Sequence, residues 1–219
     1  LSPGSPIFPD GVFTPLWLAK HQRQIPAVFV AFFDIKADNN PASDDQIKTD
    51  INAVRGAISR SGFKTRFAAV LLSDKSILHA ADLEDRLASI RRVTNLDSKT
   101  SLFFMPPVSS QSEMGAFVQG VLSALQPSVI EYYRDLTKHA RRKKTRGSIP
   151  LTATAPASQS LSNVGWNVRY EMKQGVFAEF RQEMDVAERH YSQAIEDLFN
   201  PEGIFETTPS WSPRWDEAR

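Results

Sequence analysis

Apolar positions follow two different periods along this chain. Three short runs are unbroken and rich in Val, Phe and Leu: 27–35 (AVFVAFFDI), 66–72 (RFAAVLL) and 101–105 (SLFFM). Continuous apolar runs of that length predict strands buried on both faces of a parallel sheet. Amphipathic helices separate them. Ser43-Asp44-Asp45-Gln46 is a capping-box pattern, after which Ile47, Ile51, Val54 and Ile58 recur at i, i+4, i+7 and i+11, and Gly62 is placed to end the helix. Asp82 predicts the cap of a second helix with the stripe Leu83, Leu87 and Ile90. Beyond Pro106-Pro107, a third helix is predicted from Met114, Phe117, Val118, Val121, Leu122 and Leu125. The order β-α-β-α-β-α with short connections implies right-handed crossovers and a small parallel α/β sheet within residues 1–126. Residues 1–13, with three Pro and two Gly, read as an extended lead-in, and Thr14-Pro15 opens a short helix over 16–22.

From Pro127 the period is helical only. Pro127 suits the first turn of a new helix, and Val129, Tyr133, Leu136 and Ala140 give it one apolar stripe within a basic segment, 127–147. Residues 148–160, rich in Ser, Thr, Pro and Ala, read as a linker. In the stretch 161–199, Tyr170, Phe177, Met184, Tyr191 and Leu198 stand seven apart. Trp166, Lys173, Phe180, Ala187 and Ala194 form a companion column in which Lys173 is the one poor member. A coiled-coil strand or a helical hairpin both satisfy this spacing. Gly175, Ala187, Tyr191 and Ala194 have the spacing of a tetratricopeptide (TPR) unit, which favours a hairpin turning near 182–185, although the usual Trp, Leu and Tyr of its first helix are displaced. The expected packing residues are Gly175, Phe177, Phe180, Met184, Ala187, Tyr191, Ala194 and Leu198. One such unit cannot bury its own face. Residues 161–219 are therefore expected to start a TPR-like α-solenoid, with Ser212-Pro213 opening a further helix. That ending, and a first residue that is Leu, predict the front piece of a longer scaffold.

Composition narrows the chemistry. The chain has 219 residues, 41% hydrophobic and 23% charged, which suits one larger or two small globular domains. It has no Cys, which excludes disulfides, thiolate zinc sites, iron–sulfur clusters and cysteine nucleophiles. No apolar run approaches the roughly 18 residues of a membrane span, and the start lacks the pattern of a signal peptide. The net charge of +1 conceals a separation. Residues 127–147 hold seven basic and two acidic residues, whereas 148–219 hold six basic and eleven acidic.

Known catalytic patterns are missing. No Gly is followed by Lys-Ser or Lys-Thr, so a phosphate-binding loop is excluded. Gly115 and Gly120 have the right mutual spacing, but they sit inside a predicted helix, where close helix packing is their expected role. G-x-G-x-x-G and G-x-S-x-G are also absent. Asp34 and Asp74 end the first two apolar runs, with Asp38 four residues past Asp34. At the carboxyl end of a parallel sheet such carboxylates can hold Mg²⁺ for phosphate chemistry, although capping and loop solvation account for them equally. His21, His79, His139 and His190 show no metal-ligand spacing, which leaves them as surface or packing residues. The strongest local feature is KHARRKKTR, with Lys138, Arg141, Arg142, Lys143, Lys144 and Arg146. It suits a solvated helix end or docking on an acidic partner, or contact with an anionic membrane. Nucleic acid is disfavoured, because no aromatic is interleaved to stack bases.

Four blocks carry a resemblance: PAVFVAFFDI, SLFFMPP, IEYYRDLTKHARRKKTRG and WNVRYEMKQGVFAEFRQEMDVAERHYSQAIEDLF. Together they resemble the foie gras domain region of trafficking protein particle (TRAPP) complex subunit 11, in its fungal form, over residues 25–219. The resemblance implies a non-catalytic scaffold in a tethering complex of endoplasmic reticulum-to-Golgi traffic and autophagy. That complex promotes nucleotide exchange on a Rab GTPase through other, small subunits. It implies partners among those subunits, an indirect link to the Rab, a peripheral place at Golgi membranes, and no cofactor, metal or catalytic residue in this chain. The α/β part is then expected to be a degenerate GTPase-like domain.

Overall fold

The computed structural model describes residues 15–37, 40–145 and 163–199. The lead-in, Asp38, Arg146, the linker 148–160 and Ser212-Pro213 lie outside the described residues. The chain divides into two compact units, residues 23–132 and residues 1–22 with 133–219.

The first unit holds the small parallel α/β sheet that the apolar runs predict. Strands β1 (Val28–Ile35), β2 (Arg66–Ser73) and β3 (Leu102–Met105) are parallel in the order β1-β2-β3. Helices α2 (Pro41–Arg60) and α3 (Leu83–Thr94) make the crossovers. Their apolar stripes, Ile47 and Ile51 with Leu87 and Ile90, pack on Ile35, Ala69, Leu71 and Leu102 as one core. Among the described strands only β2 is buried on both sides, since Ala68 and Val70 are as enclosed as Ala69 and Leu71. This corrects the expectation for β3, where only Leu102 is fully buried, and for β1. It lies at the sheet edge, where Phe29 is exposed and Phe32 is 62% exposed, because an apolar run encodes burial without saying how many neighbours exist.

Turn chemistry sets the ends of these elements. Helix α2 begins earlier than the capping-box pattern predicts. Asn40 is its cap and accepts the Ala42 amide at 3.1 Å, with Pro41 in the first turn preset to helical φ. Gly62 follows the helix with φ +75°, a left-handed conformation that favours Gly. Asp82 occupies the cap position of α3, but its side chain makes no capping hydrogen bond.

Helix α4 (Gln111–Thr145) is 35 residues long and passes straight through Pro127. Its start is a capping box: Ser110 Oγ accepts the Glu113 amide at 3.2 Å, while the Glu113 carboxylate accepts the Ser109 amide at 2.7 Å. The expectation that Pro127 opens a new helix is therefore wrong. An interior Pro costs a helix about 3 kcal/mol. Here Pro127 and Ser123 are both exposed, so water reaches the carbonyl that loses its partner, and Val121, Leu125, Val129 and Tyr132 continue one stripe across the site. Gly115 and Gly120 do lie in α4, but nothing stands within 4 Å of where their Cβ atoms would be, so the close packing expected of them is absent.

In the second unit, α1 (Pro15–Ala19) continues as a π-helical turn, Lys20–Gln24. The long helical stretch breaks into α5 (Asn163–Phe180) and α6 (Met184–Phe199), which decides between strand and hairpin in favour of a hairpin. The break is a Schellman motif. Glu183 N–H donates to the Ala178 carbonyl and Gln182 N–H to that of Glu179, with Gln182 at φ 61°. Buried Arg181 locks the corner. It bonds the Glu183 carboxylate at 2.7 and 3.0 Å and the Thr137 hydroxyl of α4 at 2.7 Å.

Candidate functional site

The carboxyl end of the sheet is where an α/β fold places a ligand. Asp34 is exposed near the end of β1, with Leu72 as its register partner, and Asp74 follows β2. Asp74 caps the 3₁₀ turn Lys75–His79, accepting the Ser76 amide at 2.9 Å and the Ser76 hydroxyl. Those bonds from Ser76 hold its carboxyl below the ordinary range. Beside them, the buried Arg86 of α3 grips Asp44 of α2 through two 2.8 Å bonds and reaches the Lys36 carbonyl at 2.9 Å. This pair fastens both crossover helices to the end of β1. Among the described residues no three His, Asp or Glu side chains lie close enough to share a metal ion.

The basic run ends α4. Arg141, Arg142 and Lys143 are exposed, and Lys138 is exposed beside Asp135 at 3.3 Å. Lys144 differs from them, because it turns inward to Glu171 of α5 at 2.5 Å. The other oxygen of Glu171 meets His190 Nδ1 of α6 at 2.6 Å. One enclosed carboxylate thus ties three helices together. Here one cation of the basic run, Lys144, meets one carboxylate of the acidic stretch that follows, Glu171.

Burial works to raise the Glu171 pKa, yet the hydrogen bonds and charges of Lys144 and His190 outweigh it and hold the pKa below its ordinary 4.5. Because the folded value is the lower one, the stability from this carboxylate is present above about 4.5 and lost as pH falls through the folded value. Glu171→Gln is expected to destabilise by ~2 kcal/mol at neutral pH, less than a fully buried pair because Lys144 and His190 are partly exposed. Urea melts across the acid range should show wild type and variant converging below that window. A difference that stays constant with pH removes the assignment.

The hairpin brings together most of the predicted packing residues. Gly175, Phe177, Ala187 and Ala194 are buried, and Phe180, Tyr191 and Leu198 are half-buried. Met184 is the correction. It is exposed because it opens α6 just past the corner, where the seven-residue column no longer tracks the interface. With Ile195 and Phe199 it leaves an apolar stripe on the outer side of α6. His21 packs against Trp17 and Phe177 at ring distances of 4.6 and 5.4 Å. Burial, and then the charges of Lys20 and Lys173, depress its pKa.

Sequence reasoning missed Arg86, Arg181 and Glu171, each of which has a partner far away along the chain, Asp44, Thr137 and Lys144 respectively, that leaves no local pattern. Lys173 did leave a signal, as a cation in an apolar column.

Residues 1–114, just over half of the chain, match the family model described as trafficking protein particle complex subunit 11 N-terminal domain. No curated protein matches the chain.

Proposed function

The chain belongs to the trafficking protein particle complex subunit 11 N-terminal domain family, and from that membership we propose that it is a non-catalytic scaffold subunit of a vesicle-tethering complex. It works in endoplasmic reticulum-to-Golgi and Golgi traffic and in autophagy. Its partners are other subunits of that complex, and it meets the Rab GTPase only through the exchange assembly to which it contributes contacts. It is peripheral at Golgi and intermediate membranes; no described helix is long and apolar enough to cross a bilayer.

The family match over residues 1–114 carries this reading. Residues 1–126 serve as a degenerate GTPase-like domain, 127–147 as a basic helix, 148–160 as a linker and 161–219 as the start of a helical repeat. The hairpin seam at Gly175 supports the repeat, as does the outer stripe of Met184, Ile195 and Phe199, which a following repeat would cover. A non-catalytic role fits a sheet end where Ser76 engages Asp74 and Arg86 engages Asp44. Cross-linking mass spectrometry of the assembled complex should place links from exposed lysines of this chain on neighbouring subunits. A chain that co-purifies with none of them sinks the proposal.

A second reading, contact with an anionic membrane, is favoured by the exposure of Arg141, Arg142 and Lys143. Each is worth ~1 kcal/mol near such a surface. Flotation with acidic liposomes that survives Ala replacement of all three removes it.

A further inference from the structure

The outer side of the last turns of α4 carries a hydroxyl among cations. Lys138, Arg141, Arg142 and Thr145 stand at i, i+3, i+4 and i+7, the spacing of one helix face, and all four are exposed. The opposite side faces inward, where Ala140 is buried and Lys144 reaches Glu171 of α5. Thr145 is the last residue of the helix. Its hydroxyl donates to the Arg141 carbonyl at 3.0 Å, a surface bond that water can replace. The four residues before it, Arg141, Arg142, Lys143 and Lys144, are all cations.

Such a segment suits an enzyme cleft lined by carboxylates, and protein kinases choose among hydroxyls by charge patterns of this kind. The sequence alone offers several candidates with Arg three residues before Ser or Thr. Thr94 follows Arg91 at that spacing and also ends a helix, but it is fully buried, and its hydroxyl donates to the Ile90 carbonyl at 2.7 Å. Thr137 follows Arg134 inside α4, and its hydroxyl accepts a bond from Arg181. Ser89 and Ser192, after Arg86 and Arg189, lie inside α3 and α6. Thr145 differs from all of these in being both exposed and at a helix end.

One contact restrains it. A cleft can take up Thr145 and the cations before it only if the last turn of α4 opens, and helix ends open at the least cost. That turn includes Lys144, whose ammonium is fastened to the enclosed Glu171 carboxylate.

We propose that Thr145 is a phosphorylation site for a protein kinase that selects basic segments, and that the contact between Lys144 and Glu171 limits its access. The Thr145 Oγ1 attacks the γ-phosphorus of a nucleoside triphosphate, and the bond from that phosphorus to the bridging oxygen breaks. The hydroxyl proton passes to a base of the kinase, and the nucleoside diphosphate leaves. The product carries about −1.5 to −2 at pH 7. The helix dipole opposes a negative charge at this end, but Arg141 and Arg142, one turn back on the same face, supply counter-charges. Most of the positive charge that Arg141, Arg142 and Lys143 present is thereby cancelled. The inference depends on neither reading of the chain's role in the tethering complex.

The test incubates the 219-residue chain with ATP and the catalytic subunit of cyclic AMP-dependent protein kinase, and maps phosphate by mass spectrometry. Thr145 should be labelled while Thr94 stays unmodified. Thr145→Ala should abolish that label and Thr145→Ser should keep it. Arg142→Ala should slow the reaction about tenfold, the loss of one charge-assisted contact. Glu171→Gln should speed it about fivefold by releasing the last turn. Gly175→Ala, which disturbs the same hairpin but leaves Lys144 and Glu171 in place, should change the rate less than about twofold. The proposal is overturned if Thr145 takes up no phosphate, or if Thr94 is labelled as fast in the folded chain. It is overturned equally if Glu171→Gln leaves the rate unchanged, or if Gly175→Ala raises it as much.

Discussion

Replacing Arg86 by Met should cost the α/β unit about 3–5 kcal/mol, enough to unfold a marginal domain at ordinary temperature. The cause is what the substitution leaves behind. Asp44 is buried, and its two oxygens take both of their strong bonds from Arg86. Met fills much the same volume but donates nothing, so the carboxylate stays enclosed without a counter-charge. The Lys36 carbonyl loses its 2.9 Å donor as well. Changing both members, Arg86→Met with Asp44→Leu, should recover most of the loss, because a buried ion pair is often no better than well-packed apolar groups. Urea denaturation of the two single variants and the double variant measures this directly. If the losses simply add, the pair is not the unit of stability described above.

How much of this was legible follows from the range of each interaction. The strands, crossover helices and basic run were readable because burial of one face imposes a period on neighbouring residues. Ile47, Ile51, Leu87 and Ile90 lie where that period puts them, all in one core. Pro127 misled because its helix-breaking tendency is local, whereas the stripe from Val121 to Tyr132 that overrides it spans three turns. The hairpin corner near 182–185 was legible from the spacing of Gly175, Ala187, Tyr191 and Ala194, but its mechanism was not, since a left-handed residue there is usually Gly and the turn at Gln182 rests instead on Arg181 and Thr137. The basic run was visible, but its division was not. Lys144 belongs to the interior through Glu171, a partner 27 residues away, whereas Arg141, Arg142 and Lys143 stay exposed.

The seam between α5 and α6 gives the second large effect, and there the sign of one substitution depends on place. Gly175→Val should destabilise by about 3 kcal/mol, and Gly175→Ala by ~1–2, although Ala in place of Gly favours a helix by ~1 kcal/mol. A Cβ on Gly175 would stand 2.3 Å from Tyr191 Cε1, 2.6 Å from Cδ1 and 2.9 Å from Cζ, so the ring lies against the backbone of α5. The ring cannot yield cheaply, because it is half-buried and its hydroxyl lies beside the Glu179 carboxylate. Burial, and then the Glu179 charge, raise the pKa of that hydroxyl. At Gly115 and Gly120 of α4 nothing lies within 4 Å, and the same change to Ala should stabilise by up to ~1 kcal/mol. Tyr191→Ala supplies the decisive background. With the ring gone, Gly175→Ala should change from harmful to mildly favourable, whereas a general intolerance of side chains on α5 would leave it harmful. Thermal melts of the four combinations separate the two outcomes. If the sign does not reverse, the ring is not what requires Gly at 175, and the seam no longer supports reading this hairpin as one unit of a repeat.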